Sequence, residues 1–472
     1  MSQTPTRVPA MVSDTVLRDT VEWLLSALGG QVSDSDLRAA FAPRLTARGD
    51  LATMIAADPR LAGFGEHPRR VVECRRHGRF AARAVVRAGE HLWELDVAVE
   101  EEPPHRIRSF TPRRAASGAV PWDQLADRLR GLDRRESDLP GTLAERVHHR
   151  LREAVDSGRI VGLACAINVR GATAHREFFG TGDLGTFQPL DPTSVFRVGS
   201  VAKTVTGLAV LQLAEAGVID LRAPLTDYLT VPELVPADPG DRPPTVAELL
   251  LHRAGLSKDL AVRRSVLQQA GSLAEAAPRI TLAWAPGSRP AYSNVGYELL
   301  GLLVEQCTGE PFADHAAREV LARHHIHGAV LSRPTPTATA TATATLNGHE
   351  LVADRLAPVT QTVDPYRAAG GMTADLASAV ALADLLGQGV GPLGALSAHA
   401  APAGPGRRFV PGAVLLDRPE GALVWRGGST RGFTAELLAA AGGAVSVALL
   451  ATTSPAEGLR EAAADVLRDV SG

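Results

Sequence analysis

The sequence predicts an α+β protein of two domains. The larger, C-terminal domain is expected to build an antiparallel sheet with a helical subdomain. The smaller, N-terminal one sets helices ahead of a strand meander. Three observations predict this. At 472 residues the chain exceeds what one hydrophobic core ordinarily organises. Within the first 110 residues the apolar spacing changes from helical to alternating. From Val161 on, two strand patterns precede an all-helical middle, and three or four more strands and a helix follow, so one sheet draws on both ends of its domain.

Pro5 and Pro9 mark the first ten residues as an unstructured lead. Ser13 offers a helix N-cap, and Leu17, Val21, Leu24, Leu25 and Leu28 follow at helical spacing up to Gly29 and Gly30. A second helix starts at Ser33 or Asp34 and carries Leu37 and Phe41. A third, short helix is expected from Asp50 to Ala57. Val71 and Val72, Phe80 to Val86, Leu92 to Val99 and Ile107 to Phe110 read as four short antiparallel strands, with Gly78 and Gly89 at turns. In element order this first domain, residues 12–112, resembles the cone-shaped nuclear-transport-factor-2-like and polyketide-cyclase-like (SnoaL-like) proteins. That resemblance implies catalysis, small-molecule binding or dimerisation. No convergent acid–base set is visible, and Glu100 to Glu102 read as a solvated strand end, so a structural role or a homodimer through this domain is expected.

Residues 113–139 read as a charged linker with one helix around Asp123 to Leu132. The second domain, residues 140–472, opens with a helix from Leu143 to Val155 and strands from Val161 to Val169 and Ala174 to Phe179. Helical pieces follow at Leu225 to Leu229, Val246 to Leu251, Gly296 to Cys307 and Phe312 to His324. Thr337 to Thr345 alternates Thr with Ala, as a mobile loop or an edge strand would, and Asn347-Gly348 signals a hairpin turn. Ala374 to Leu386 is helical, and Gly389 to Gly406 reads as a loop. Val410 to Leu416, Ala422 to Arg426, Thr434 to Ala439 and Val445 to Ala451 read as strands, and Ser454-Pro455 as the start of a last helix.

Composition narrows the function. A net charge of −3 gives no reason to expect nucleic acid or an anionic membrane as partner. No apolar run reaches the roughly 18 residues of a membrane span, and Met1 to Ser13 lacks the apolar core of a secretory signal. Cys74, Cys165 and Cys307 are odd in number and scattered, which fits free thiols in a reducing, cytoplasmic compartment. No cofactor is expected, since phosphate-loop and dinucleotide fingerprints are missing. No metal is expected either: Arg323-His324-His325-Ile326-His327 reads as a solvated helix end, with no second group at ligand spacing. There is no Gly-x-Ser-x-Gly elbow, and His252 in its apolar helix reads as a core histidine.

The chemistry centres on Phe196-Arg197-Val198-Gly199-Ser200-Val201-Ala202-Lys203. Ser200 and Lys203 are three residues apart at a helix start, so their side chains share a face. A serine hydroxyl needs a neighbouring base to become a nucleophile, and burial lowers a lysine's pKa toward that task. The chain has only two lysines, Lys203 and Lys258. A Ser-x-x-Lys match by chance is then expected in about one such chain in ten. The spacing fits covalent acyl transfer.

Downstream, Leu249-Leu250-Leu251-His252-Arg253-Ala254-Gly255-Leu256, Tyr292-Ser293-Asn294 and Gly370-Gly371-Met372 follow in order. With the serine–lysine stretch they resemble the serine β-lactamase and penicillin-binding-protein superfamily, on its class C-like branch, over roughly 330 residues. The resemblance implies a β-lactamase/transpeptidase-like fold. It implies Ser200 as nucleophile, Lys203 and Tyr292 as the acid–base pair, and Asn294 as a substrate contact that also bonds the lysine. It further implies an oxyanion hole from the backbone N–H groups of Ser200 and Ser429. One motif departs: Arg426 stands where the family places lysine or histidine. Arginine stays protonated, so Arg426 is expected to supply charge to Tyr292 and to bind a substrate carboxylate rather than shuttle protons, with Arg431 adding to that field. The reading is a serine hydrolase or acyltransferase acting on a small-molecule ester or amide. The alternative is a catalytically weak binding or scaffolding protein.

Overall fold

A computed structural model describes residues 12–28, 33–42, 64, 67–76, 79–116, 118–260, 273–332, 346–359, 364, 366–389, 400–419 and 421–472. It divides into two units, Met1–Trp122 with Leu351–Ala357, and Asp123–Glu350 with Pro358–Gly472.

In the first unit the Ser13 side chain accepts from Val16 N and starts α1 (Asp14–Ala27), which buries Leu17, Val21, Leu24 and Leu25. Ser33 and Asp36 form a capping box on α2 (Asp34–Ala40). The strands β1 (Arg69–Arg76), β2 (Ala81–Ala88), β3 (His91–Val99) and β4 (Ile107–Arg114) then form an antiparallel meander in that order. Trp93, Leu95, Val97 and Val99 alternate into a core shared with both helices. On the opposite face Arg83 pairs with Asp96 at 2.7 Å and with the buried Glu94, which also meets Arg113. Neither buried charge is left alone. Val120–Pro121 pairs with Arg355 and Leu356. The helix expected from Asp50 to Ala57 and the turn at Gly78 lie outside the described residues.

The second unit is organised by a nine-stranded antiparallel sheet. Its strands are β5 (Arg134–Ser137), β6 (Gly162–Val169), β7 (Ala172–Gly180), β8 (Ala401–Gly404), β9 (Arg407–Val410), β10 (Ala413–Leu416), β11 (Leu423–Thr430), β12 (Phe433–Ala440) and β13 (Val445–Ala451). The spatial order is β8-β9-β10-β11-β12-β13-β6-β7-β5, so β13 joins the late strands to the early ones. Every residue of β13 is buried, which means both sheet faces are covered. Helix α6 (Leu376–Gln388) packs on β12, β13 and β6, and α7 (Leu459–Ser471) on β12, β13 and α3 (Gly141–Gly158). The helical middle contributes α4 (Ala202–Glu215) and α5 (Asn294–Thr308). Nearly every residue of α4 is buried, as its all-round apolar sequence requires. Within β7, the buried Glu177 is held by His148 and His175, and His175 by Ser137, a hydrogen-bonded chain that satisfies a carboxylate inside the sheet.

Several expectations are corrected. Arg134–Ser137, within the stretch expected to be linker, is an edge strand paired with β7. Val410 to Leu416 is two strands, because Gly412 turns the chain at φ +73°. Part of the loop expected from Gly389 to Gly406 is strand β8. Asn347-Gly348 leads into a strand, Gly348–Val352, and the turn falls at Ala353 and Asp354, both left-handed. Ser454-Pro455 does not cap the last helix, which starts at Leu459 behind Gly458. The helix expected from Phe312 to His324 loosens from α through π to 3-10 geometry. The Thr–Ala run lies outside the described residues.

Candidate active site

Ser200 sits in a 3-10 turn, Gly199–Val201, at the head of α4. The preceding strand, Phe196–Arg197, pairs with Met372–Ala374 and fixes the approach to the turn. Strand β11 crosses the turn at backbone contact. A Cβ on Gly428 would stand 1.9 Å from Val198 O, and one on Gly199, at φ +51°, would meet Ser429 N at 3.0 Å. Only glycine permits that approach, and it brings the Ser429 backbone beside Ser200.

One turn along α4, Lys203 is fully buried and each ammonium proton has an acceptor: Ser200 Oγ at 3.1 Å, Asn294 Oδ1 at 2.8 Å and Ala369 O at 2.6 Å. The Tyr292 hydroxyl donates to Ser200 Oγ at 2.8 Å and accepts from Arg426 Nη2 at 2.9 Å. Burial draws Lys203 down to about 8, and Arg426 adds to the lowering against the pull of Tyr292. Burial alone would raise the Tyr292 phenol, but the charges of Arg426 and Lys203 outweigh it and bring it to about 7. The site therefore holds a phenol and an ammonium that both ionise near neutrality, on either side of one serine hydroxyl.

Asn294 is the first residue of α5, behind the N-cap Ser293. Its Nδ2 donates to Asp259 Oδ1 at 2.7 Å. His252 is neutral, held far below its ordinary value by burial and by Lys203 and Arg426. Its Nδ1 accepts from Ser293 N at 3.1 Å, and its ring packs on Tyr292, Tyr297 and Phe409. It braces the tyrosine loop.

Arg426 approaches from behind. It is 4% exposed, and Nη1 reaches Gly412 O at 3.4 Å. That turn is pinned by Tyr297, whose hydroxyl accepts from Gly412 N at 2.7 Å and donates to Leu250 O at 2.9 Å. Tyr297→Phe orphans the buried Gly412 N–H, and is expected to destabilise the protein by about 2 kcal/mol in urea unfolding. A change below a few tenths would mean the turn finds another acceptor.

A cavity of about 270 Å³ opens over Ser200, room for a small acyl group. Asn294 and Ser429 line it, as does Arg431, which pairs with Glu350 at 2.9 Å. Arg426 does not line it. The expected carboxylate contact of Arg426 is thus not what its position offers; its contact is with Tyr292. Five of the six residues named from sequence, Ser200, Lys203, Tyr292, Asn294 and Arg426, form one hydrogen-bonded set, and Ser429 lies on the cavity wall. Lys258, Asp259, Asp364 and Tyr366 also line the cavity and were not anticipated. Lys258 carried a signal, as the only other lysine in the chain. Among the described residues no cluster of His, Cys, Asp and Glu could hold a metal ion, and no helix is long and apolar enough to cross a membrane.

Residues 147–471 match the model of the family named Beta-lactamase. The Esterase EstB of Burkholderia gladioli is 31% identical over 191 residues, 36% of this chain and 47% of the esterase. The Protein flp of Staphylococcus aureus (strain NCTC 8325 / PS 47) is 26% identical over 176 residues, 36% of this chain and 35% of that protein. The chain thus matches less than half the length of either relative. Two solved structures cover 70% of this chain at a TM-score of 0.60. EstCE1, a hydrolase with promiscuous acyltransferase activity, is 21% identical with 98% of it covered. The D-amino acid amidase from Ochrobactrum anthropi SV3 is 19% identical with 99% covered. At those identities the likeness is one of fold. The family match spans eight of the nine strands of the sheet, α4, α5 and the whole hydrogen-bonded set around Ser200, and by it the chain belongs to the Beta-lactamase family.

Proposed function

We propose that this protein is a serine hydrolase or acyltransferase that opens an ester or amide through an acyl-enzyme on Ser200. The observation that carries the reading is Ser200 Oγ in hydrogen-bond reach of both Tyr292 OH and Lys203 Nζ, with Arg426 behind the tyrosine. In the ionised state Tyr292 takes the Ser200 proton as Oγ attacks the carbonyl carbon. The carbonyl oxygen gains charge against the N–H groups of Ser200 and Ser429. As the tetrahedral species collapses, Tyr292 returns the proton to the departing alcohol or amine. Water or a second acceptor then enters by the reverse sequence, again with Tyr292 as base. Lys203 stays an ammonium throughout and keeps Tyr292 ionised, while Asn294 orients the lysine.

The named activities of the relatives, esterase, amidase and acyltransferase, are all chemistry at an ester or amide carbonyl and support the class. Arg431 and Lys258 at the cavity wall are cations available to a carboxylate-bearing substrate. The first unit, of which residues 1–122 lie outside the family match, is assigned a structural or dimerising role.

The test is intact-protein mass after exposure to a fluorophosphonate, a penicillin and a p-nitrophenyl ester. A single adduct on the parent, absent from Ser200→Ala, is expected from at least one reagent. No adduct from any of them on a folded protein would favour a binding module instead.

A further inference from the structure

We infer that Asp259 is a positioning residue, which fixes the orientation of the Asn294 amide and through it keeps Lys203 in its ammonium form. The inference rests on the active-site reading above and names a residue which that reading does not use.

A primary amide presents an oxygen at one side and two N–H donors at the other, and it flips unless both sides are specified. Here both are. Lys203 Nζ donates to Asn294 Oδ1 at 2.8 Å, and Asn294 Nδ2 donates to Asp259 Oδ1 at 2.7 Å. An ammonium only donates and a carboxylate only accepts, so the pair admits one orientation. Backbone holds the carboxylate in place. Ser293 Oγ donates to Ser257 O at 2.7 Å, Asn294 N to Lys258 O at 2.7 Å, and Ser257 Oγ to Asp259 O at 2.9 Å. These bonds stitch Ser257 to Asp259 onto the start of α5, directly over the Asn294 side chain.

Without the carboxylate the amide is free to turn its NH2 toward the lysine, donor against donor. The buried ammonium then keeps two acceptors instead of three, and its proton leaves at lower pH. The other groups that act on Lys203 are Tyr292, Arg426, Asp364 and the neutral His252. Those beside Asp259 are Lys258 and Tyr366. Asp259→Asn leaves the groups that act on Lys203 in place, removes a charge that helps raise Tyr366, and keeps an oxygen that accepts from Asn294 Nδ2.

The two-lysine composition makes a direct test. Protein labelled with 13C at the lysine ε carbon gives two signals, assigned with Lys258→Arg, and the buried one reports Lys203. In the parent it is expected to titrate near 8. In Asp259→Ala it is expected about one unit lower, and in Asp259→Asn close to the parent. Asn294→Ala should show the same lowering, with Asp259→Ala adding nothing on top of it. Asp259→Leu, which also cannot accept, replaces the alanine variant if that one does not fold. An unmoved titration in Asp259→Ala overturns the inference. So does an equal shift in Asp259→Asn, which would leave charge alone as the cause, and so do additive shifts. The readout does not need turnover. If Ser200-dependent hydrolysis is absent but the shifts appear, the hydrolase reading falls and the positioning role stands.

Discussion

Lys203→Met is expected to cut kcat/KM for a Ser200-dependent ester by about 10³-fold while leaving the chain folded. The methionine fills the same buried channel, so packing changes little. What goes is a charge. Lys203 Nζ is one of two cations that hold the Tyr292 phenol near 7 against the effect of burial, and its ammonium also donates to Ser200 Oγ. Stability should change little, because losing a buried charge offsets two acceptors, Asn294 Oδ1 and Ala369 O, left without this donor, while Ser200 Oγ keeps Tyr292. Its pH dependence has a definite sign. Lys203 loses its proton at about 8 in the fold and near its ordinary 10.5 in the unfolded chain. Between those values the unfolded chain binds the proton that the fold has released, so this group's contribution to stability rises with pH. The melting temperature of the parent relative to the variant is expected to climb from pH 8 toward pH 10. A loss of activity below tenfold would remove Lys203 from the chemistry.

Why the serine, lysine, tyrosine and asparagine were legible from sequence is a matter of local geometry. Ser200 and Lys203 are one helical turn apart, and Ser293 caps the helix that Asn294 begins, so short stretches specify their own shape. Arg426 was legible as a position, on a strand facing the serine, but not as a direction. Within β11, alternate residues face opposite sides of the sheet. Trp425 bonds Glu436 and lies under Arg460 of α7, whereas Arg426 faces Tyr292. That it stops behind the tyrosine, short of the cavity, depends on the turn at Gly412, formed where the sequence suggested one unbroken strand. Asp259 was hidden for the same reason. Its role exists only once Ser293 and Ser257 are stitched together, a contact 36 residues long in sequence. The turn at Ala353 and Asp354 escaped because alanine is not a residue that favours left-handed backbone, and Asn347-Gly348 nearby carried the stronger turn signal.

Arg426→Met should carry the second large effect. Tyr292 acts as a base only when ionised, so activity in the parent is expected to rise with pH through about 7. Arg426 is the foremost charge lowering that value, at 2.9 Å from the phenol oxygen. Without it the acid limb of the kcat/KM profile moves up toward the ordinary phenol range, and each unit of movement costs a tenfold share of phenolate at pH 7. A loss of about 10²-fold at pH 7 is expected, narrowing by about tenfold for each unit the pH rises along the acid limb. The loss should be equal for carboxylate-bearing and neutral p-nitrophenyl esters, because the guanidinium is buried and does not line the cavity. Arg426→Lys restores the charge but not the fork that spans Tyr292 OH and Gly412 O, so it should recover only part of the pH 7 activity. A pH-independent loss confined to carboxylate-bearing substrates would instead make Arg426 an anchor for substrate. The phenol would then owe its acidity to Lys203 alone, and the Lys203→Met variant would show the whole of the shift that is here divided between two cations.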